Sequence, residues 1–281
     1  MSNLDGLGYR DKTIVVTGGA SGMGEAVVRI LNDMGAKVHV VDIQQPTVDC
    51  ESFHACDLSD FDQVRATAEA LRALAPVHFL FPCAGLPPTV KGALYCMRVN
   101  YIGTRLFVEE LLPALEDGAG IALISSDAAM GWQQNLAQSM EMLAIADPDE
   151  AYAWCEVDVE KRVRDGYTTS KEMLVVWTQH AAVQLGLDRK IRLNAIGPCP
   201  TRTAFMDAQE KSLPEGFLDA WPYPSLGRMA TAEDQAWPLV LLNSPLNAAI
   251  TGTFLLTDQG FASGVYTGAI DTSFMGGSSL S

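Results

Sequence analysis

The stretch Thr17-Gly18-Gly19-Ala20-Ser21-Gly22-Met23-Gly24 constrains the fold more than any other. It follows the apolar run Thr13-Ile14-Val15-Val16 and leads straight into Glu25-Ala26-Val27-Val28-Arg29-Ile30-Leu31, so it reads as strand, glycine turn and helix. Gly18, Gly22 and Gly24 have no Cβ to hold an anion off the backbone. A pyrophosphate has a seat there on the free N–H groups at the positive end of the helix. Glycine-rich turns also serve plain packing, so the rest of the chain has to decide between the two.

The pattern continues as alternating strands and helices. The first helix carries Val27, Val28, Ile30, Leu31 and Met34 on one face and stops at Gly35. Lys37 to Asp42 is a second short apolar strand. It ends in a carboxylate about 20 residues beyond the glycines, where it can accept from the adenosine ribose hydroxyls and repel a 2′-phosphate. That favours NAD over NADP; the plain alternative is an acidic cap on a strand end. Ser52 to Ala55 is a third strand, followed by Cys56-Asp57-Leu58, where Asp57 either reaches an adenine edge or begins the loop. A helix is predicted over about 60–74, and a fourth strand, Val77 to Phe81, opens into Pro82-Cys83-Ala84-Gly85. A long helix is predicted over 93–116 with Asn100 among its apolar positions. Asn100 either opens that helix, orders a water or is a satisfied buried amide. Gly120 to Ile124 is a fifth strand ending in Ser125-Ser126-Asp127, Ile191 to Ile196 a sixth, and Gly252 to Asp258 closes the sheet. Such alternation means a doubly wound α/β fold of the Rossmann type with a seven-stranded parallel sheet, whose ligands bind beyond the carboxyl ends of the strands. No internal repeat interrupts it, so the 281 residues are expected to form one domain. The Gly- and Ser-rich end from Gly264 is expected to be mobile at its tip.

Tyr167-Thr168-Thr169-Ser170-Lys171 opens a strongly apolar helix, and a spacing of four puts Tyr167 and Lys171 on one face. An ammonium beside the phenol would lower its pKa toward working pH, so that the tyrosine can trade a proton with an alcohol or carbonyl oxygen. The motif alone also fits a surface tyrosine stacked on a lysine stem.

Composition narrows the partners. A net charge of −15 repels nucleic acid and anionic membrane surfaces. No apolar run is long enough for a membrane helix, and the first residues lack the pattern of a signal peptide, so a cytoplasmic protein is expected. The six cysteines form no C-x-x-C pair and read as packing residues, and no metal is expected at Cys50, His54 and Cys56.

Taken together, the turn from Thr17 to Gly24, Asp42, Asp57, Cys83-Ala84-Gly85, Asn100, Ser126, Tyr167 with Lys171, and Pro198 to Thr203 resemble the short-chain dehydrogenase/reductase family over nearly the whole chain. The resemblance implies hydride transfer between NAD and a small-molecule secondary alcohol or ketone. It implies Tyr167 as acid/base, Lys171 on the nicotinamide ribose and on Tyr167, Ser126 on the substrate oxygen and Asn100 on a relay water. Gly18, Ser21, Gly22, Met23, Gly24, Asp42, Asp57, Leu58, Cys83, Ala84, Gly85, Pro198, Thr201 and Thr203 would complete the cofactor site. It further implies a homodimer or homotetramer. The rival readings are an inactive NAD-binding sensor or scaffold of the same fold, and an epimerase or dehydratase, for whose added substrate domain the chain is short.

Three departures stand out. Cys83 replaces the usual Asn, which removes one side-chain contact between strand ends while sparing backbone contacts. Cys199 follows Pro198 where Gly is usual, and its side chain would press on the nicotinamide pocket. Ser126 and Tyr167 are about 40 residues apart, far more than is ordinary in the family. Residues 130–166 therefore form an insert. Leu136, Met140 and Leu143 repeat at helical spacing and Asp147-Pro148-Asp149-Glu150 starts a second helix toward Arg164, which suggests a helical hairpin. Both its ends are pinned by site residues, so it is expected to roof the substrate pocket and to extend or obstruct a dimer face; the plain alternative is that it packs on its own chain. The long insert with a Cys-Ala-Gly-Leu turn is similar to the bacterial 3α-hydroxysteroid dehydrogenase/carbonyl reductase branch, which implies a steroid-like or other bulky alicyclic substrate.

Overall fold

The computed structural model describes residues 5–211 and 213–273; the tip of the Gly- and Ser-rich end falls outside them. In chain order the elements are β1 (Thr13–Thr17), α1 (Gly22–Asp33), β2 (Lys37–Asp42), β3 (Ser52–Ala55), α2 (Phe61–Arg72) and β4 (Val77–Pro82). Next come α3 (Ala93–Met97), a π-helical segment (Arg98–Gly103), α4 (Thr104–Leu111) and β5 (Leu115–Ile124). The insert carries α5 (Leu136–Leu143), α6 (Pro148–Val157) and α7 (Val159–Arg162). After it stand α8 (Tyr167–Arg189), β6 (Arg192–Pro198), β7 (Thr201–Arg202), α9 (Ala204–Glu210) and α10 (Phe217–Ala220). The chain continues through β8 (Ala230–Thr231), α11 (Ala232–Asn243), β9 (Phe254–Thr257) and α12 (Phe261–Thr267).

Seven parallel strands pair in the order β3-β2-β1-β4-β5-β6-β9. Continuous Val, Ile and Leu runs suit strands covered on both faces, and successive residues face opposite layers. Val15, Leu80, Ile121 and Leu193 join the core beneath α2, α4 and α8, whereas Ile14, Val16, Phe79 and Phe81 join the one beneath α1 and α11. Strand order reverses between β1 and β4, so a crevice opens beyond their carboxyl ends.

The predicted helix over 93–116 is corrected in two places. It widens into the π segment around Asn100, and it stops at Leu111, so Leu115 and Glu116 belong to β5. Pro113 explains the stop, because it cannot donate to the preceding turn. Gly103 ends the π segment where a Cβ would lie 2.0 Å from the Leu58 carbonyl oxygen, so the helix packs directly on the loop after β3.

The insert is helical, as expected, with Asp147 capping α6 through the Asp149 and Glu150 N–H groups. Its second half breaks at Asp158, whose side chain caps α7. Its helices α5 to α7 do not line the substrate cavity, which the insert reaches only through Met130 and Asp165 at its two ends. Met142, Ala151, Cys155 and Val163 join the core beneath the sheet, and Arg105 donates to the Leu143 and Ile145 carbonyls at 3.2 and 3.0 Å. Arg98 lies between the Phe61 and Tyr152 rings, 4.3 and 4.6 Å from their centroids. On α5, Ser139 and Met142 turn inward and Leu143 packs partly against the core, while Leu136 and Met140 stay 42% and 40% exposed. Among the described residues, no helix is long and apolar enough to cross a membrane.

Candidate active site

Two cavities adjoin at the crevice. One, of about 240 Å³, is walled by Gly18, Ser21, Gly22, Met23 and Gly24, by Asp42, by Asp57 and Leu58, and by Cys83, Ala84 and Gly85. The other, of about 270 Å³, is walled by Ser126, Tyr167, Lys171, Pro198, Cys199 and Thr201 together with a largely apolar set from the 205–221 segment. Met23, Cys83, Gly85, Thr203 and Phe205 line both. Every residue assigned to a site from sequence therefore lies on the cleft, with the exception of Asn100.

The three glycines do different work. A Cβ on Gly24 would sit 2.1 Å from the Gly18 carbonyl oxygen, and one on Gly18 would sit 2.6 Å from the Ala84 backbone, so both are demanded by packing of the protein on itself. Gly22 has φ +57° and its Cβ would face Thr203 at 3.5 Å, at the mouth of the cleft. Only this glycine clears space for a ligand, which refines the expectation that all three do so. Ser21 takes the extended N-cap conformation of α1 without its side chain capping the helix. Asp42 is oriented by two backbone donors: Ala20 N–H reaches Oδ2 and Gln44 N–H reaches Oδ1, both at 3.0 Å. Asp57 accepts from Ser59 N–H at 2.8 Å and from the Tyr95 hydroxyl at 3.4 Å. The backbone contacts at Cys83 survive the loss of Asn: Cys83 N–H donates to the Thr17 carbonyl at 3.0 Å and Ala84 N–H to Thr17 Oγ1 at 3.3 Å. An open helix N-terminus, a glycine at the cleft mouth and an oriented carboxylate fit a dinucleotide.

On the substrate side, Ser126 caps the turn after β5 and accepts from Ala128 N–H at 3.1 Å. Tyr167, which opens α8, lines the same cavity as Ser126. Lys171, one turn on, donates to the Ile124 carbonyl at 2.9 Å and lies 5.7 Å from the centre of the Tyr167 ring. Burial pushes the Tyr167 phenol well above the usual tyrosine range, with the Ser126 hydrogen bond acting the other way. Burial holds Lys171 down to about 8. The expected lowering of the phenol by the ammonium is thus corrected: the lysine is turned to a main-chain carbonyl, and desolvation wins.

Asn100 stands one layer behind the cleft. Its Oδ1 accepts from Leu86 N–H at 2.9 Å, and its Nδ2 donates to the Leu86 carbonyl at 2.9 Å and to Cys96 Sγ at 3.0 Å. The amide thereby clamps the turn after β4. Cys199 is buried against Gln235 and Gln259 at the cavity wall. Sequence reasoning missed Phe205, Met206, Phe217 and Trp221, because a loop with mixed Pro, Trp and acidic residues gave no periodicity to place them. It quoted Asp127 without assigning it, although its position directly after Ser126 at a strand end was a signal.

Two family models match the chain: one described as short chain dehydrogenase over residues 12–138, and one described as enoyl-(acyl carrier protein) reductase over 155–262. The chain is a short-chain dehydrogenase/reductase. The residues between the two matches, 139–154, lie inside the insert. Among curated members of this oxidoreductase family it is 28% identical to coniferyl-alcohol dehydrogenase of a Pseudomonas species, over 90% of this chain and 97% of that one. It is 29% identical to 3-alpha-hydroxysteroid dehydrogenase/carbonyl reductase of Comamonas testosteroni, over 88% and 95%. A solved structure, 3-alpha-hydroxysteroid dehydrogenase from a Pseudomonas species complexed with NADH, shares the fold with a TM-score of 0.76 at 24% identity, covering 92% of this chain and all of the other.

Proposed function

We propose that this short-chain dehydrogenase/reductase is an NAD-dependent enzyme that interconverts a secondary alcohol and a ketone on a bulky, neutral, ring-containing substrate such as a hydroxysteroid. The observation that carries the reading is the meeting of Ser126, Tyr167 and Lys171 on an apolar cavity that adjoins the glycine-turn cleft. When bound, the nicotinamide supplies the acceptor or donor of hydride. Tyr167 exchanges the proton at the substrate oxygen, Ser126 stands beside it, and Lys171 holds the nicotinamide ribose. Asn100 positions the Gly85-Leu86 turn under the cofactor.

Met130, Met206, Phe217, Trp221 and Phe261 line the cavity, and Lys171 is its one cation among the described residues. That lining suits an apolar body and offers little to a phosphate or carboxylate tail. Relatives named for 3-alpha-hydroxysteroid, (+)-borneol and dichlorocyclohexadienediol dehydrogenation support a ring substrate. We read the enzyme as a single-domain cytoplasmic protein working as a homodimer or homotetramer. The exposed Leu136 and Met140 and the exposed Val183 and Leu187 of α8 are surfaces that suit assembly, and light scattering would give the mass.

Asp42 supports NAD, because neither Lys nor Arg is among the described residues walling the adenosine half of the cleft. Initial-rate assays are expected to give kcat/KM at least ~100-fold higher with NAD than with NADP, and Asp42→Ala should narrow that ratio about tenfold. Equal kcat/KM with both cofactors in the unmutated protein would refute the assignment.

A further inference from the structure

The chain turns a corner after β9 at Asp258-Gln259-Gly260, where Gln259 takes φ +62°. A left-handed backbone favours glycine, so a long side chain kept at this position needs a reason. The amide gives one. Its Oε1 accepts from Leu226 N–H at 3.0 Å, while its Nε2 donates to the Arg228 carbonyl at 3.0 Å and to Cys199 Sγ at 3.5 Å. A backbone N–H only donates and a carbonyl only accepts, so the two ends of the amide are not interchangeable.

What the amide holds is the far end of the aromatic wall of the substrate cavity. Gly227 N–H donates to the Tyr223 carbonyl at 2.9 Å and the Tyr223 hydroxyl to the Leu218 carbonyl at 3.0 Å, so the stretch from α10 to Arg228 is tied to itself. It carries Phe217 and Trp221, whose ring centres are 5.6 Å apart and which both line the cavity. The same corner seats the wall at a second point. Asp258 accepts from Gly260 and Ala262 N–H at 3.0 and 2.7 Å where α12 begins, and the Phe261 ring centre lies 4.2 Å from that of Trp221. Cys199 belongs to the turn after β6 and also lines the cavity, so Gln259 joins two of its walls.

We propose that Gln259 is a positioning residue that sets substrate size: it fixes the Phe217 and Trp221 wall against the turn after β6, so that a multi-ring body meets a preformed apolar surface. The proposal deepens the ring-alcohol reading and rests on it. Gln259 is not itself part of the cavity lining and acts through the segment it holds. A wall that is fixed beforehand need not be ordered by the ligand, whereas a loose one is ordered afresh at each binding event. A fused ring system that reaches Trp221 gains from this. A small alcohol seated beside Tyr167 and Ser126 does not.

The test compares the unmutated protein with Gln259→Gly and Gln259→Asn. Glycine takes the left-handed backbone without strain and asparagine tolerates it, so both variants are expected to melt no more than about 2 °C below the unmutated protein. Glycine has no amide, and that of asparagine is one methylene too short to reach both partners. The first readout needs no substrate. Arg228 is exposed, its ion pair with Asp234 is common to all three proteins, and its carbonyl belongs to the peptide bond that trypsin cuts. Native-state cleavage after Arg228 should be at least about tenfold faster in both variants. With NAD, KM for a hydroxysteroid should rise at least about tenfold while KM for cyclohexanol and both kcat values stay within about twofold. A merely structural residue would not split the two alcohols at unchanged melting temperature. Unchanged cleavage after Arg228, or an equal rise in KM for both alcohols, overturns the positioning role and leaves the dehydrogenase reading intact. An unmutated protein that turns over no alcohol overturns that reading and the size role with it, whatever the cleavage after Arg228.

Discussion

Tyr167→Phe is expected to lower kcat by at least about 10³-fold while leaving the Kd for NADH within about threefold, because the change removes one hydroxyl and no packing surface. The Tyr167 ring packs 5.6 Å from Phe205, a contact that phenylalanine keeps, and Lys171 stays where the Ile124 carbonyl holds it. Lys171→Ala should harm both steps, since it removes the cation nearest the phenol and the group proposed to hold the nicotinamide ribose. Single-turnover kinetics separate the two effects: a Tyr167→Phe protein that kept more than a few per cent of its activity would show that another group handles the proton at the substrate oxygen.

The second large effect concerns the glycine turn, where two neighbouring substitutions should fail in different ways. A Cβ at Gly24 would collide with the Gly18 carbonyl oxygen at 2.1 Å, and backbone cannot rotate away as a side chain can. Gly24→Ala is therefore expected to cost about 3 kcal/mol in urea unfolding and to open the turn. Gly22→Ala meets only Thr203 at 3.5 Å, so its penalty is the left-handed backbone, about 1 kcal/mol. Its larger effect should be on the cofactor, with the Kd for NADH weakened at least about tenfold because the new methyl occupies the mouth of the cleft. Equal stabilities for the two variants would contradict this division of labour.

That division marks where the sequence was informative and where it was not. Six of the seven sheet strands were legible to within a residue or two because parallel strands buried on both faces leave continuous apolar runs, as in Thr13–Thr17 and Lys37–Asp42, whereas β5 starts five residues ahead of its apolar run. The crevice was legible because the turns after β1 and β4 both carry glycines at the switch in strand order. The reason for each glycine was not, since Gly24 and Gly22 look alike in sequence and differ only in which atoms a Cβ would meet. Asn100 could be marked as an odd amide in an apolar helix, but a π segment adds one residue to a turn and leaves no periodic trace. The insert shows the same limit. Periodicity gave α5 its helix, and the choice of buried face fell to tertiary contacts with α8, which put Met142 inside and Met140 outside. The ionisation of the site was the least legible part. Tyr167 and Lys171 stand one turn apart as expected, yet the lysine's hydrogen bond to Ile124 and the burial of both groups reverse the pKa argument drawn from spacing alone.

The central claim is that this chain moves hydride between the carbinol carbon of a ring alcohol and NAD. It is tested most directly by mixing the protein with NAD and cyclic secondary alcohols carrying deuterium on that carbon, following reduced nicotinamide by absorbance and its isotope content by mass spectrometry. The account predicts one deuterium on the nicotinamide for each ketone formed, with negligible transfer to NADP. Ketone formed without deuterium on the nicotinamide, or no reduced nicotinamide with any alcohol of a panel from cyclohexanols to hydroxysteroids, would contradict it.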